Sequence, residues 1–530
     1  MRASIERAIA NVVDYGDTDI FPFQAEVLAL SDQRDAAVEL ILDLHANFDE
    51  RIEELPPTQY PAFVPNGYTG FRWATQIDTY WNLYLLALVV EVGEKIESVR
   101  LDRDKGVIHS YRFEISGGSA LWDRQFGWKS FYETSRAISD KSEYIVLCDL
   151  SEFYRRVNHH RLENALNHLN DRDTTRRIIK LLGSFSGGAS YGLPIGGPAA
   201  RLLSELVLNQ VDHLMDRAGL KFCRFADDYV IGADSLKEAY AALVYISEKL
   251  QLNQGLVLQR SKTRILSSAE YRNSKPFLME DDASVEDDEI AAAKTYLFQI
   301  SLYYDPYSTT AASDYADLKG AIAGLDILGI LNHEIRKSRI HIPTINRLSM
   351  AIRNANAAVA AEAVMTIATN LETFYPCLSS ILILINQLYN DLPERTKSAI
   401  DELICDQIDT GGYLFMTPSY LAYAIKILAG SSSARSEAIV SLAASHESPI
   451  VRTAAITALI KRGVWMSLSD LKNNFGNMSP MERRLTIIAS YVLGDEGSHW
   501  RQRIKRGADP FEKFTLQWMA SRNGQLAGIV

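Results

Sequence analysis

Two short apolar runs carry the residues whose types and spacing suit chemistry. Asp149 directly follows the run 144–148 (YIVLC), and Asp227 and Asp228 lie between KFCRFA and YVI. We expect a buried strand that ends at Asp149, and two strands that turn at the aspartate pair. Carboxylates at neighbouring strand ends suit Mg²⁺, which prefers carboxylate and phosphate oxygens. Two such ions held about 4 Å apart would serve in-line nucleotidyl transfer.

An Asp-Asp pair between two strands is, taken alone, more often a polar hairpin tip. Two further features accompany it. The uncharged, glycine-rich stretch 183–197 runs into a predicted helix at 199–212, so that its backbone can approach a base or sugar closely. Lys262 follows the run 256–259 and supplies a cation.

The elements that must position these residues follow from the hydrophobic pattern. Residues 144–266 alternate predicted strands and helices, whereas 291–530 is rich in Ala, Leu and Ile at helical spacing. We predict an acidic helical segment at 1–70, a mixed α+β region at 71–280 and an all-α domain at 281–530. The further predicted elements are helices at 24–48, 71–99, 159–169 and 239–250, and hairpins at 98–114 and 256–266.

The segment 448–463 (SPIVRTAAITALIKRG) is the most informative part of the C-terminal half. Ser448 can cap a helix, Pro449 fits its first turn and Gly463 can end it. This pattern resembles the second helix of a HEAT-type repeat. An irregular helical bundle is the alternative interpretation.

Composition excludes several classes of protein. The net charge of −11 includes a strong acid excess in residues 1–60 and seven acidic residues in 280–290, and no strongly basic patch occurs. The four cysteines form no CxxC pair, which argues against a disulfide scaffold or a structural zinc site. The apolar runs 83–90 and 376–390 are too short to span a bilayer. We therefore expect a soluble, cytoplasmic protein with no membrane partner.

The order of the motifs resembles that of reverse transcriptases. DLSEFY at 149–154, GLPIG at 192–196, FADD at 225–228 and SKT at 261–263 are similar to palm motifs A to D. The resemblance implies an α+β right-hand polymerase, with fingers and a palm built on a ferredoxin-like sheet. It implies Mg²⁺, or Mn²⁺ as an alternative, at the metal-binding and catalytic residues Asp149, Asp227 and Asp228.

The resemblance also implies roles for four residues around the carboxylates. Tyr154 is in the position that excludes a 2′-hydroxyl, and a core aromatic is the alternative. Lys262 would assist the leaving pyrophosphate. Arg112 would contact the triphosphate, or be a solvated turn charge, and Gly196 would face the substrate.

Two departures refine the resemblance. Ile195 replaces the glutamine usual in the motif B loop, and no thumb pattern follows residue 275. A palm followed by a HEAT-like domain resembles the bacterial abortive-infection (Abi) reverse transcriptases of the prophage-encoded type. This resemblance implies an antiphage DNA polymerase that uses dNTPs without a template. It also implies priming from a protein hydroxyl, single-stranded DNA covalently attached to the protein, and a homo-oligomer.

Several alternatives stay open at this stage. A conventional RNA-templated reverse transcriptase, of the retron or intron kind, is the first. An inactive palm that serves as a scaffold for the helical domain is the second. Among the 25 tyrosines, Tyr15, Tyr303, Tyr304 and Tyr307 lie in polar surroundings, but no primer residue can be selected.

Overall fold

The computed structural model describes residues 1–22, 24–274, 288–299 and 318–528. The chain forms two compact units. The first contains residues 1–61, 73–277 and 508–522, and the second contains 62–72, 278–507 and 523–530. Most of the predicted N-terminal segment 1–70 is therefore part of the first unit. The predicted boundary near 280 and Tyr303, Tyr304 and Tyr307 lie outside the described residues.

A four-stranded antiparallel sheet forms the centre of the first unit. Its strands are β3 (Tyr144–Asp149), β4 (Lys221–Phe225), β5 (Asp228–Ala233) and β6 (Arg264–Ser267), in the spatial order β4-β5-β3-β6. Helices connect β3 to β4 and β5 to β6, which gives the split βαβ order of a ferredoxin-like sheet. A separate two-stranded sheet contains β1 (Gln59–Asn66) and β2 (Gly70–Ile77).

One face of the four-stranded sheet packs on a compact apolar cluster. Ile145, Cys223 and Val230 project from the three neighbouring strands and contact Phe131 and Tyr271 from two helices. Side chains two residues apart on a strand share a face, so the short apolar runs of the sequence fill this core. All four cysteines are buried and unbridged.

In the part of the chain that the structure describes, thirteen α-helices of the first unit precede those of the second. They are α1 (Arg2–Tyr15), α2 (Ala25–Asp32), α3 (Arg34–Ala46), α4 (Phe48–Glu54), α5 (Thr79–Glu91), α6 (Gly93–Val99), α7 (Trp128–Asp140), α8 (Phe153–Arg156), α9 (His159–Asn167), α10 (Arg172–Phe185), α11 (Pro198–Arg217), α12 (Leu236–Gln254) and α13 (Ser268–Ser274). The helix Pro510–Ser521 also belongs to this unit, and the indole of its Trp518 donates to Asp32 on α2 over 2.8 Å.

Two predicted elements near residue 100 are wrong. The helix predicted at 71–99 begins only at Thr79, because residues 70–77 form β2 and Asp78 caps α5. The hairpin predicted at 98–114 is absent. A short 3-10 helix, Arg103–Lys105, is present instead, and the guanidinium of Arg100 binds the backbone carbonyls of Ser110 and Tyr111. Backbone pairing also joins this segment to other residues, because the amide of His109 donates to the carbonyl of Arg224 on β4 and the amide of Glu114 donates to the carbonyl of Leu121.

Helices dominate the second unit. Ile342–Arg353, Leu378–Leu388, Pro418–Leu428, Pro449–Arg462 and Pro480–Ala489 pack consecutively in one row, and Ile327–Ile335, Ala357–Thr369, Glu394–Asp409 and Ala434–Ala443 pack in a second row. The helices Asp288–Gln299, Trp465–Leu471 and Gly494–Ile504 also lie in this unit. This two-row packing fits a helical repeat, but the HEAT assignment itself stays a prediction.

The helix Pro449–Arg462 begins and ends where the sequence predicts. Pro449 lies in its first turn, and Gly463 ends it in the left-handed conformation, with φ of 67°. The side chain of Ser448 makes no capping hydrogen bond, contrary to the expectation. One helical stretch in the described residues, Leu371–Asp391, is long and apolar enough to cross a membrane, and half of it is buried inside the protein. Such a stretch is also typical of a core helix.

Candidate active site

Two carboxylates face each other where the central strands end. Asp149 of β3 pairs directly with Asp228 of β5, and Asp228 also pairs with Phe225 of β4. Directly paired residues of an antiparallel sheet project on the same face, with Cβ atoms about 5 Å apart. Ala226 and Asp227 form the turn between β4 and β5. The structure therefore brings the three predicted aspartates to one edge of the sheet.

The crowding of these carboxylates changes the acidity of Asp228. Burial, and then the negative charges of Asp227 and Asp149, raise the pKa of Asp228 to about 8, although Lys262 opposes the shift. A carboxyl group held in its neutral form by neighbouring anions is stabilised as an anion when a cation approaches. The local electrostatics therefore favour binding of a cation at this edge.

Lys262 supplies a positive charge to the site. Its Nζ lies 3.0 Å from Oδ2 of Asp149, and the lysine side chain is 58% exposed. Burial acts to lower the pKa of Lys262, but the bond to Asp149 and the adjacent aspartates outweigh it and raise the pKa. The segment is fixed to the strand end because the amide of Gln259 donates to the carbonyl of Asp149 over 2.7 Å. Lys262 is thus a protonated group beside the carboxylates.

A buried arginine holds the turn that carries Asp227. Arg224 of β4 is fully buried, and its Nη1 donates to the carbonyl of Ala226 over 2.8 Å. The same guanidinium binds Asp212 at 2.6 Å and Glu205 at 2.8 Å, both on α11. Ala226 has φ of 50°, a left-handed conformation that is costly for a residue with a Cβ. The Arg224 bond compensates for this cost by fixing the carbonyl of the turn.

The network around Arg224 extends to the segment before the sheet. Glu205 also binds Arg100 at 2.6 Å, and it accepts a hydrogen bond from Ser110 over 2.6 Å. Burial acts to raise the pKa of Glu205, but the two arginines outweigh it and lower the pKa. Sequence reasoning missed this network. Its signal was a charged residue, Glu205, within the apolar run LLSELVL of a predicted helix.

Tyr154 lies on α8, directly after the strand that carries Asp149. Its neighbour Phe153 is buried, and the carbonyl of Tyr154 accepts the amide of Leu193 over 2.8 Å, so the two predicted motifs are bonded to each other. Burial, followed by the charges of Tyr111 and Asp227, raises the pKa of the Tyr154 hydroxyl. Tyr154 is therefore near the turn carboxylate, and its role in sugar selection stays a prediction.

The N-terminal segment covers the glycine loop that contains Gly196. Gly196 has φ of 108°, and a Cβ there would lie 2.6 Å from Oγ1 of Thr18 and 3.0 Å from Oδ1 of Asp19. The amide of Asp19 donates to the carbonyl of Gly196 over 3.3 Å. Ile195 lines a small cavity together with Asp17 and Thr18. Residues of the chain itself occupy this side of the loop. The contact of Gly196 with a substrate stays a prediction.

Arg112 is buried in the first unit. Nη1 and Nη2 both donate to the carbonyl of Leu101, over 2.9 and 3.0 Å, and Nε lies 2.9 Å from Glu97. Burial is the main cause that lowers the pKa of Arg112 to about 10. A contact with a triphosphate stays a prediction, but the guanidinium must leave Leu101 and Glu97 to make it.

Aromatic rings surround the start of the turn. Trp128 is half exposed and stacks on Phe225, with ring centroids 4.3 Å apart. Tyr111 lies 5.9 Å from Phe225 and 5.3 Å from Trp122. These contacts fix Phe225, which is paired with Asp228.

The residues present fit a divalent cation that is completed by its substrate. Among the residues that the structure describes, no three Asp, Glu, His or Cys side chains converge closely enough to hold a metal unaided. Mg²⁺ in phosphate-transfer sites uses one or two carboxylates together with phosphate oxygens and water. Asp149 and Asp227 would hold the ion, and the raised pKa of Asp228 marks a deficit of positive charge.

Comparison with protein families identifies the region that contains this site. Residues 96–289 match the family described as "Reverse transcriptase (RNA-dependent DNA polymerase)". The chain contains a reverse transcriptase domain. The matched region contains both strands that flank the aspartate turn, together with Tyr154, Gly196 and Lys262. The match indicates an enzyme of the nucleotidyltransferase kind. The predicted reverse transcriptase palm is confirmed at this level.

Other comparisons add little to this reverse transcriptase domain. No curated protein matches the chain. Telomerase from Candida albicans with the TWJ fragment of telomeric RNA is similar at a TM-score of 0.30 and 10% identity, over 69% of this chain and 68% of that chain. Apo telomerase from Candida tropicalis is similar at a TM-score of 0.31 and 11% identity, over 68% of each chain. Scores at this level support no inference about this chain.

Proposed function

We propose that the protein is a metal-dependent DNA polymerase that extends a protein-attached strand from dNTPs without a template, and that it acts in abortive infection against phage. The single observation that carries the catalytic part is the pairing of Asp149 with Asp228, with Asp227 on the adjoining turn. In each step the oxygen of an attacking hydroxyl bonds to the α-phosphorus of a dNTP. The hydroxyl proton passes to water, the bond between the α-phosphorus and the oxygen that bridges to the β-phosphate breaks, and pyrophosphate leaves.

The residues of the chain have distinct parts in this reaction. Asp149 and Asp227 would hold Mg²⁺, or Mn²⁺, which when bound neutralises phosphate charge and lowers the pKa of the attacking hydroxyl. Lys262, 3.0 Å from Asp149, is placed to give a proton to the departing pyrophosphate or to bind its charge. Tyr154 selects the deoxy sugar by excluding a 2′-hydroxyl.

Two features support synthesis without a template. Ile195 cannot make the hydrogen bonds of the glutamine usual at its position, and it faces a cavity lined by the chain's own residues 17 and 18. The chain has a net charge of −11, and a short single strand needs fewer phosphate contacts than a long duplex. The antiphage role, the covalent product and the homo-oligomer rest on the resemblance to Abi reverse transcriptases.

The proposal is tested with purified full-length protein, Mg²⁺ and labelled dNTPs, with and without added nucleic acid. We expect label in the protein band on a denaturing gel without any template, and its release by protease. Label only on a primed RNA would overturn the untemplated reaction.

An RNA-templated reverse transcriptase is the second candidate, favoured by the family description itself. The antiphage role has its own test, because cells carrying the wild-type chain should resist phage and cells carrying Asp149→Asn should not. Equal protection by both would favour a scaffold, in which the reverse transcriptase domain is inactive.

A further inference from the structure

A cation beside the predicted sugar gate has no part in the site described so far. Arg201 lies on α11, five residues after Gly196, and its guanidinium is 5.5 Å from the ring centroid of Tyr111. Tyr111 in turn lies 5.9 Å from Phe225, the strand partner of Asp228. The ring of Tyr111 therefore contacts both Arg201 and Phe225, the residue that precedes the turn of Ala226 and Asp227.

Arg201 and the turn carboxylate act on the same hydroxyls. The charge of Arg201 lowers the pKa of both the Tyr154 and the Tyr111 hydroxyl, whereas the charge of Asp227 raises it. Ser204, which donates to the carbonyl of Arg201 over 2.7 Å, also opposes the rise in the pKa of the Tyr154 hydroxyl. A nucleotide with its sugar against Tyr154 would thus have a carboxylate on one side and a guanidinium close by.

A carboxylate of the chain itself binds Arg201 in this structure. Oδ2 of Asp19 lies 2.5 Å from Nη2 of Arg201, and the same residue donates its amide to the Gly196 carbonyl. A carboxylate presents two oxygens to a guanidinium in much the same way as a phosphate does. The side chain of Asp19 is 60% exposed and that of Arg201 is 29% exposed. Rotation of the Asp19 side chain alone would therefore release Arg201.

We propose that Arg201 binds a phosphate group of the incoming deoxynucleotide, and that Asp19 occupies this position until the nucleotide displaces it. The inference rests on the proposed function and names a substrate-binding residue of the same site. A triphosphate carries more negative charge than one carboxylate, and a guanidinium binds phosphate in a two-pronged geometry. The exchange therefore favours the nucleotide.

Two other arginines of the first unit, Arg112 and Arg103, have internal partners. Arg112 binds Leu101 and Glu97, whereas Arg103 binds Glu97 at 3.0 Å and Asp123 at 2.6 Å. These partners are at most modestly exposed. Arg201 differs because its acidic partner is mainly exposed to solvent, and an ion pair with an exposed partner is weak.

The test measures nucleotide binding without turnover. A fluorescent deoxynucleotide, mant-dATP, is titrated into the full-length protein with Ca²⁺ in place of Mg²⁺, for wild type, Arg201→Gln, Asp19→Asn and the double variant. Asp49→Asn is the matched control, because Asp49 is an exposed carboxylate of the same unit paired with Arg176 at 2.7 Å. Thermal melting checks that each variant is folded.

We expect Arg201→Gln to raise the Kd about tenfold or more, because a charge-assisted bond is lost. Asp19→Asn should lower the Kd about two- to fivefold, because the competing carboxylate is removed. In the Arg201→Gln background Asp19→Asn should have no effect, and Asp49→Asn should bind as wild type does. A weaker affinity in Asp19→Asn, or an unchanged affinity in Arg201→Gln, would overturn the proposal.

Two further ligands identify which phosphate Arg201 binds. The Kd for a mant-labelled deoxynucleoside without phosphate should not respond to Arg201→Gln, and neither should the Kd for a labelled ten-nucleotide oligo(dT). A response of the oligonucleotide alone would assign Arg201 to the strand and refute the nucleotide contact. If wild type incorporates dNTPs and Arg201→Gln binds mant-dATP normally, only this inference fails. If wild type neither binds nor incorporates a deoxynucleotide, the proposed function fails with it.

Discussion

The two sides of the candidate site are built in different ways. On the carboxylate side, strand register makes Asp149 and Asp228 neighbours, and the buried Arg224 fixes the turn that carries Asp227. On the loop side, Gly196 lies against Asp19, which is remote in sequence. The first side is held by strand pairing and a buried guanidinium, whereas the second is covered by an exposed carboxylate. The difference separates the chemical centre from the place where a substrate must enter.

Removal of a strand-end carboxylate should have the largest effect. We expect Asp149→Asn and Asp227→Asn each to reduce dNTP incorporation about a thousandfold, because a ligand of the catalytic ion is lost. Asp234→Asn is the matched control. It lies beyond the other end of β5, paired with Lys221 at 2.8 Å, and should leave the rate unchanged. Incorporation by Asp149→Asn at the wild-type rate would remove the site from the strand ends.

Disturbing the support of the turn should have the next largest effect. Arg224→Lys keeps the charge but loses the forked bonds to Ala226 and α11, so we expect about a hundredfold loss in incorporation through misplacement of Asp227. Arg100→Lys is the control, because Arg100 also binds Glu205 but makes no bond to the turn. Both variants should lose thermal stability, measured by melting. An equal loss of activity in the two would show that Arg224 acts only through stability.

A change at Tyr154 should alter the choice of sugar more than the rate. Tyr154→Ala should raise the use of rNTPs relative to dNTPs about tenfold or more, because the ring no longer excludes a 2′-hydroxyl. Tyr154→Phe keeps the ring and should retain the wild-type preference. Competition between labelled dNTPs and rNTPs measures the ratio. Unchanged selectivity in Tyr154→Ala would make the residue a core aromatic.

The loop side offers the smallest effect, one on stability. Burial, with the nearby Glu26 and Asp78, raises the pKa of Asp17 to about 6 from an ordinary 3.8. Between pH 3.8 and about 6, Asp17 therefore holds a proton in the folded protein that it has released in the unfolded chain. The stability of this neutral form is fully present below pH 3.8 and is lost as the pH rises through 6.

The corresponding variant is Asp17→Asn, which cannot ionise. At pH 7.5 it should exceed the wild type in free energy of unfolding by at most about 3 kcal/mol, and the difference should vanish near pH 4. Denaturant unfolding at the two pH values measures it. A variant less stable than wild type at pH 7.5 would mean that the Asp17 carboxylate is stabilised in the folded chain.

The contrast also explains which parts the sequence predicts. Asp149 and the Asp227–Asp228 pair are attached to short apolar runs, and strand periodicity places such residues at strand ends. Lys262 likewise follows a short apolar run, residues 256–259. The family match at 96–289 agrees with this local pattern.

Partners that are distant in sequence were not predictable. The bonds of Arg100 to the backbone at 110 and 111, and of Asp19 to Arg201, join segments with no local signal for each other. The predicted hairpin at 98–114 failed for this reason, because the backbone of this segment pairs with Arg224 and with residues 121 and 123 instead of with itself. Likewise the first part of the helix predicted at 71–99 is instead the strand β2, which ends at Ile77.

The central claim is that the strand-end carboxylates form a metal site completed by a nucleotide. Its most direct test measures Mn²⁺ binding by electron paramagnetic resonance, with and without a non-hydrolysable dNTP. The proteins compared are wild type, Asp149→Asn and Asp234→Asn. We predict that the nucleotide tightens Mn²⁺ binding in wild type and in Asp234→Asn, and that Asp149→Asn binds about tenfold or more weakly. Equal Mn²⁺ affinity in wild type and Asp149→Asn would contradict the claim.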